Sequence, residues 1–406
     1  MISQDLNNQI TRIGPGTEAG DVLRRYWQPA ALSDELTGAF PVAVNLLGER
    51  LALVRSSEGE LALATRIATA EEPAAFCPPA QEIEIDPAGP TYPVSQQKGA
   101  IFAYLGPDQP PAFPKFDCFR APDSHVFAFK GLWRCNWLQA LEIGIDPAHA
   151  SFLHRFLEDG DPSDSYGKQF RDKAAHTDMP MTQVLREYPR PDIEVDETDY
   201  GLRITALRHL GNDLTHVRVT NQIFPQAICI PLSREMTITQ WHVPVDDENC
   251  YWFTIFTSFQ DPVNKDLMRA QRLKEHRLPD YAPLKNQENH YHFDPVEQQT
   301  LTYTGMGLDI NVHDQWAVEG MGAIQDRTQE HLGRSDVAII RYRRMLRKAI
   351  ADLGAANAAA LPMQGDVGAL RGPLSNDAIA ATAEWSRASH AADLARRADC
   401  PWDASV

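Results

Sequence analysis

Between Phe40 and Thr65 apolar and polar residues alternate, in "FPVAVNLLGERLALVRSSEGELALAT", around Gly48 and Gly59. Successive side chains of a strand point to opposite faces, so this alternation predicts a meander of short antiparallel strands turning at the glycines. "GAIFAYLGP" (Gly99 to Pro107) predicts one more strand, and the proline-rich "PDQPPAFPKFD" (Pro107 to Asp117) a linker. A second region opens near His125 with "LWRCNWLQALEIGIDPAHASFLHRFL", whose apolar spacing predicts two short helices separated near Gly144. The runs "LRITALRHL", "THVRVTNQIFPQAICIPL", "EMTITQWHVPVD" and "CYWFTIFTSF" then predict antiparallel sheet. In "SDVAIIRYRRMLRKAIADLG", Ile339, Tyr342, Leu346, Ile350 and Leu353 recur at helical spacing, with Ser335 or Asp336 as cap and Gly354 as stop. That helix is expected to pack on the sheet. Beyond Gly354 the chain is rich in alanine, glycine and proline up to Pro373, and "SNDAIAATAEWSRASHAADLARRA" predicts a capped amphipathic helix. Composition leaves two fates open for this tail, packing on its own chain or docking on a neighbouring subunit.

These elements predict an α+β chain in three parts. Residues 1–120 form a small antiparallel β domain. Residues 121–354 form a domain with a central antiparallel sheet flanked by helices, and residues 355–406 a linker and helix. A length of 406 residues suits more than one core. Hydrophobic residues at 43% and charged residues at 23% are ordinary globular values, and no apolar run reaches the ~20 residues needed to cross a bilayer. The opening "MISQDLNNQITRIG" has no basic start followed by an apolar stretch, so a soluble, cytoplasmic protein is expected. The six cysteines lack framework spacing, which suits a reducing compartment. A formal charge of −17 argues against a nucleic-acid partner, which needs lysines and arginines to displace counterions.

Candidate chemistry concentrates in "EIGIDPAHASFLH", which holds Glu142, Asp146, His149 and His154. Two imidazoles completed by a distant carboxylate can form a facial triad that leaves coordination positions open on a ferrous ion. Residues five apart on a regular helix point roughly 140° apart, so both rings converge only at a distorted turn or a helix end. Asp146, followed by Pro147, also suits the N-cap of the helix that carries the histidines. Asp309, His313, Asp314 and Glu319 are all able to complete such a site. His290 and His292 in "NHYHF" suit a surface loop better than a metal site. Phe224, Ile228, Trp241 and Trp252 lie in strand-like runs and suit either an apolar pocket or core filling.

"NWLQALEIGIDPAHASFLH" resembles the iron-binding segment of the Rieske-type ring-hydroxylating oxygenases, in the branch of phthalate oxygenases and aromatic O-demethylases. "YWQPAALSDEL", "IFAYLGP" and "HDQWAVEGMGAIQDRTQEHLGRSD" resemble the same branch, so the likeness runs from about residue 20 to 350. The resemblance implies a Rieske-like N-terminal domain followed by a catalytic helix-grip domain. It further implies His149, His154 and Asp314 as ligands of one mononuclear Fe(II), with Asp146 as the carboxylate that bridges electron transfer into the site.

A Rieske centre takes two cysteines on one iron and two histidines on the other. The family supplies them as C-x-H and C-x-x-H. In "FCPPAQ", Cys77 matches the first cysteine while Pro79 stands where the histidine belongs, and proline offers no lone pair. Between Cys77 and Ala100 there is no further cysteine and no histidine, so a degenerate domain without an iron–sulfur cluster is expected. The chain also lacks G-x-G-x-x-G and any four-cysteine site, so electrons must come from another polypeptide. The expected partner is a homologous Rieske-bearing subunit, served by a reductase or ferredoxin that draws on NAD(P)H. The reading favoured is a multicomponent oxygenase subunit that hydroxylates or O-demethylates a small aromatic substrate with O2. The alternative is a non-catalytic structural or regulatory subunit of such an assembly.

Overall fold

The computed structural model describes the whole chain except residues 39, 57, 70–71, 74–75 and 160–178. After β1 (Gln28–Leu32), the expected meander is formed by β2 (Val42–Leu46), β3 (Glu49–Arg55) and β4 (Leu61–Ile67), paired antiparallel in sequence order. Leu47 and Gly48 make the first turn at φ of 51° and 77°. Positive φ at both central positions gives a two-residue hairpin the twist its strands need. β5 (Glu84–Ile85) and β6 (Thr91–Tyr92) both pair with β4. β7 (Val94–Gln97) and β8 (Ala100–Ala103) form a hairpin that β1 joins as a separate three-stranded sheet.

β9 (Lys115–Phe116) precedes the large sheet. That sheet holds β10 (Val126–Trp133), β11 (Asp192–Thr198), β12 (Gly201–Gly211), β13 (Leu214–Ile223), β14 (Ala227–Pro231), β15 (Met236–Pro244) and β16 (Cys250–Ser258). Their spatial order is β10-β16-β15-β14-β13-β12-β11, antiparallel throughout; β12 to β16 are the expected strand-like runs, while β10, which takes Leu132 and Trp133 from the expected helical segment, and β11 were not anticipated. One face carries Trp241, packed edge-on against Phe102 of β8 with ring centroids 5.5 Å apart. Strand alternation sends its neighbours Gln240 and His242 to the other face. A continuous cluster of buried apolar side chains runs from Ile10 to Leu361. The helix Gln4–Thr11 belongs to it, and its Thr11 carbonyl accepts hydrogen bonds from Asn136 Nδ2 (3.0 Å) and Trp137 Nε1 (3.2 Å).

The long helix forms as Val337–Gly354 and packs against β11, β12 and the helix Glu18–Leu23. Two sequence expectations shift. The helices of the second region, Trp137–Ile145 and Ala150–Leu153, are separated at Asp146–Pro147 rather than at Gly144. A residue before proline is driven out of the α region, and Asp146 sits at φ −89° and ψ 105°. The C-terminal amphipathic helix is shorter than expected, Trp385–Ala398, because Asp377–Ala381 forms a strand, β18. β14 covers β13 only from Asn221 to Ile223, and β18 pairs with the remainder of that edge, Leu214 to Arg218. β17 (Arg371–Gly372) pairs in parallel with β9. Arg397 closes on Asp117 at 2.8 Å, so the tail packs on its own chain. Among the described residues no helix is long and apolar enough to cross a membrane.

Candidate metal centre

The helix Trp137–Ile145 starts where Asn136 Oδ1 accepts from Leu138 N at 3.0 Å, and lies across β13 to β16. Glu142 on this helix is buried between Arg327 (2.9 Å) and Arg343 (2.5 Å). Past Ile145 the proline forces a turn, and the Asp146 carboxylate organises it by accepting from Ala148 N (2.8 Å) and His149 N (3.1 Å). The expected N-cap role shifts: Asp146 is the C-cap of the first helix and His149 the N-cap of the second, so Asp146 organises only the turn between them. Arg208 of β12 ties the turn from below, donating from Nη2 to Pro147 O (3.1 Å) and Ser151 Oγ (3.0 Å). His149 precedes the single helical turn Ala150–Leu153, and His154 has left it at φ −97° and ψ 24°. The straight-helix angle between the two rings therefore does not apply.

A third side chain arrives from the helix Ile310–Glu319, whose first turn is capped by Asp309 Oδ1 on Asn311 N at 2.9 Å. Asp314, one turn further along, brings Oδ1 to 3.3 Å from His154 Nε2 and 3.6 Å from His149 Nε2. The two Nε2 atoms are 3.2 Å apart. Adjacent donors at about 2.1 Å from a metal ion lie roughly 3 Å from one another, so this triangle is close to one face of a coordination shell.

The electrostatics agree with that use. His149 Nδ1 faces the Asp146 carbonyl, which fixes its proton there and turns the Nε2 lone pair toward the triangle. Burial, partly offset by Asp314, lowers the pKa of His149. Burial, reinforced by Arg218, takes that of His154 down to about 3. Both rings are therefore neutral, the form that binds metal. Burial raises the Asp314 carboxyl to about 6, against the pull of His149 and His313. Asp314 Oδ1 has no hydrogen-bond partner among the described residues. A buried carboxylate oxygen left unpartnered beside two neutral imidazoles is costly, and a cation relieves it, so the donor set fits a mononuclear metal ion.

The rivals are engaged elsewhere. Asp309 pairs with the buried guanidinium of Arg272. Glu319 accepts from Tyr291 Oη (2.6 Å) and Arg134 N (2.8 Å). His313 lies 2.9 Å through Nε2 from Gly307 O and stacks on the His154 ring, centroids 5.8 Å apart. His290 and His292 are exposed in an irregular turn.

Beside the triangle lies a cavity of about 60 Å³. Trp133, Ile143, Ile228 and Ile238 supply apolar walls, while Arg218, Gln240, His242 and Asn311 supply polar ones. Of the four side chains proposed for a pocket, only Ile228 lines it. Phe224 and Trp241 belong to the opposite side of the sheet, and Trp252 packs near His276 with centroids 5.5 Å apart. Sequence reasoning passed over Gln240 and His242, although two polar residues on a strand face that otherwise carries Met236 and Ile238 are a legible signal. In the N-terminal region, Cys77 is half-buried and forms, with Pro78 and Pro79, one wall of a cavity of about 670 Å³.

The chain matches the family described as LigXa C-terminal domain like over residues 103–395. It is 27% identical over 384 residues to the tert-butanol monooxygenase / tert-amyl alcohol desaturase oxygenase subunit of Aquincola tertiaricarbonis, spanning 85% of this chain and 76% of that protein. It is 27% identical over 412 residues to the phthalate 4,5-dioxygenase oxygenase subunit of Pseudomonas putida, spanning 88% of each. Among solved structures, the terminal oxygenase of carbazole 1,9a-dioxygenase from Nocardioides aromaticivorans IC177 is similar with a TM-score of 0.47 and 14% identity, over 85% of this chain and 96% of that one. With most of its length inside the family match, the chain belongs to the LigXa C-terminal-domain-like family of Rieske oxygenase terminal subunits.

Proposed function

We propose that this chain is an oxygenase subunit of a multicomponent system that uses O2 at a mononuclear ferrous ion to hydroxylate or O-demethylate an aromatic substrate. The observation that carries this reading is the triangle of His149 Nε2, His154 Nε2 and Asp314 Oδ1, with edges of 3.2, 3.3 and 3.6 Å. A ferrous ion bound there would supply dioxygen activation, with three positions left open. The chain's own residues do the rest. The Asp146 carboxylate shapes the turn, its carbonyl sets the His149 tautomer, and the buried apolar walls exclude water. The phthalate 4,5-dioxygenase relative supports the aromatic substrate class.

Inserting one oxygen atom into a C–H bond consumes O2, two electrons and two protons, and releases water. Pro79 in "FCPPAQ" supports an N-terminal region that no longer holds a cluster, so those electrons come from a Rieske-bearing homologous subunit and enter by way of Asp146. That subunit is in turn reduced by a ferredoxin or a reductase using NAD(P)H. The division into residues 1–120, 121–354 and 355–406 belongs to the same proposal.

One observation favours the second reading, a structural or regulatory subunit. The cavity of about 60 Å³ is smaller than the ~150 Å³ that accommodates a benzene ring. Catalysis therefore requires the lining side chains to move when substrate enters. The test is product formation by the assembled complex carrying Asp314→Ala in this subunit. Loss of product supports the catalytic role; undiminished product transfers it to the partner.

A further inference from the structure

The cavity of about 670 Å³ lies between the N-terminal region and the second region of the chain. Val42, Ala43 and Pro79 wall it from the first, and Phe129, Leu273 and Leu278 from the second. Its volume is about four times the ~150 Å³ that takes a benzene ring, and falls within the roughly 300–1,000 Å³ of small-molecule sites. The charges along it are balanced within the protein. Glu35 holds Lys130 at 2.8 Å, and Asp34 pairs with Arg269. Burial raises the pKa of the Cys77 thiol, which therefore adds no charge. Apolar walls beside matched ions favour a neutral occupant, because an ion placed there would lose water without gaining a counter-charge.

One polar group on this lining is unengaged. The Tyr281 hydroxyl has no hydrogen-bond partner among the described residues, yet the oxygen is not sealed from solvent although the residue is only 6% exposed. The charges that act on it, Glu35, Asp34 and Arg269, all line the same cavity, so the hydroxyl lies on the cavity side. Burial, reinforced by Glu35 and Asp34, raises its pKa, so it stays protonated and able to donate. The surroundings hold the side chain in place. Phe129 packs edge-on to its ring with centroids 5.5 Å apart, Lys130 Nζ stands 4.8 Å from the ring centroid, and the Tyr281 carbonyl accepts from Leu132 N at 3.1 Å. Tyr281 also sits at φ 54°, an uncommon conformation for an aromatic residue and one that persists where neighbours over-determine it, as at ligand clamps.

We propose that this cavity binds a neutral ligand of two or three rings that carries one oxygen acceptor, such as a ketone carbonyl, for the Tyr281 hydroxyl. The site shares no lining residue with the cavity beside the metal triangle, so it goes beyond the oxygenase reading and stands without it. A hydrocarbon of the same shape covers the hydroxyl and leaves it unpaired, which is the basis for rejecting it.

The test titrates the full chain by calorimetry with three probes: benzophenone, diphenylmethane, which keeps both rings and lacks the oxygen, and 4-benzoylbenzoate, which adds a charge. Bound benzophenone is then irradiated, and the labelled peptides are identified by mass spectrometry. The wild type is expected to bind one benzophenone at least tenfold more tightly than either analogue, with label in residues 32–35, 41–43, 77–80 or 269–281. In Tyr281→Phe the preference over diphenylmethane falls to within threefold while hydrocarbon affinity holds. Ala80→Trp, on a partly exposed wall, fills the space and weakens benzophenone at least tenfold. No saturable binding, equal affinity for either analogue, label confined to the walls of the metal-centre cavity, or unchanged behaviour in the variants overturns the proposal. Binding that disappears when the partner subunit is added also overturns it, by giving the cavity to a protein contact. If Tyr281→Phe lacks a native circular dichroism spectrum, Ala80→Trp and the labelling decide. Iron content and turnover do not enter these readouts, so failure here leaves the oxygenase reading standing.

Discussion

His149 Nε2 and His154 Nε2 lie 3.2 Å apart although five positions separate the residues along the chain. A straight helix would hold their rings roughly 140° apart. The contact exists because Pro147 breaks the helix, Asp146 organises the turn that follows, and His154 falls just beyond the end of the short second helix.

Iron binding is expected at about one ion per chain after anaerobic reconstitution, falling to background in His154→Ala and in Asp314→Ala. Inductively coupled plasma analysis checks this. Retention of iron by both variants places the metal elsewhere.

The reconstituted chain is expected to lack the visible absorption of a two-iron cluster and to make no product until a Rieske-bearing subunit is added. Turnover by the chain alone with a chemical or enzymatic reductant counts against electron entry from a partner.

Arg208 binds both ends of the turn that carries His149, through Pro147 O and Ser151 Oγ. Removing a group that orients a ligand costs roughly 10–100-fold in metal affinity. Arg208→Met is therefore expected to weaken cobalt binding by about that factor, measured by titration of the d–d bands. An unchanged affinity shows that the turn holds its shape unaided.

Glu142 is buried beside Arg327 and Arg343. Burial pushes its pKa up, but the two guanidiniums outweigh it and hold the carboxyl below its usual value. A folded-state pKa below the unfolded one stabilises the protein above the ordinary carboxylate range, and that stabilisation is lost as pH falls through the folded value. Glu142→Gln is expected to cost about 3–5 kcal/mol near neutral pH, since it leaves the buried Arg327 without its acidic partner, while Arg343 keeps Glu330 at 2.5 Å. The gap to wild type should narrow as the pH drops below that range, in urea melts across pH. A gap independent of pH would mean the pair is not ionised.

Gly144 faces the sheet, where an added Cβ would meet Ile228 Cδ1 at 2.7 Å. Gly144→Ala is expected to destabilise by about 1–3 kcal/mol, as overpacking does, and to tighten the cavity further. Thermal melting that matches wild type would show that Ile228 yields freely.

The N-terminal meander and the runs that became β12 to β16 were legible in the sequence, because a strand imposes a period of two on its own side chains, whereas β10 and β11 were not singled out and Leu132 and Trp133 of β10 were read as helical. The long helix at Val337–Gly354 was legible for the analogous reason at its own period. His149, His154 and Asp314 could be picked out only through likeness to a family, since spacing by itself set the two histidines at odds. Tertiary structure decided three things that local pattern does not contain. β18 is a strand because β14 leaves part of β13's edge unpaired, a vacancy created by residues about 150 positions away. Asp314 reaches the histidines because Asp309, held by Arg272, starts its helix at the right place. Ile228 lines the cavity while Trp241 does not, because strand register assigns each to its side of the sheet. Local chemistry chooses the element, but which groups meet depends on long-range pairing that no short window of sequence records.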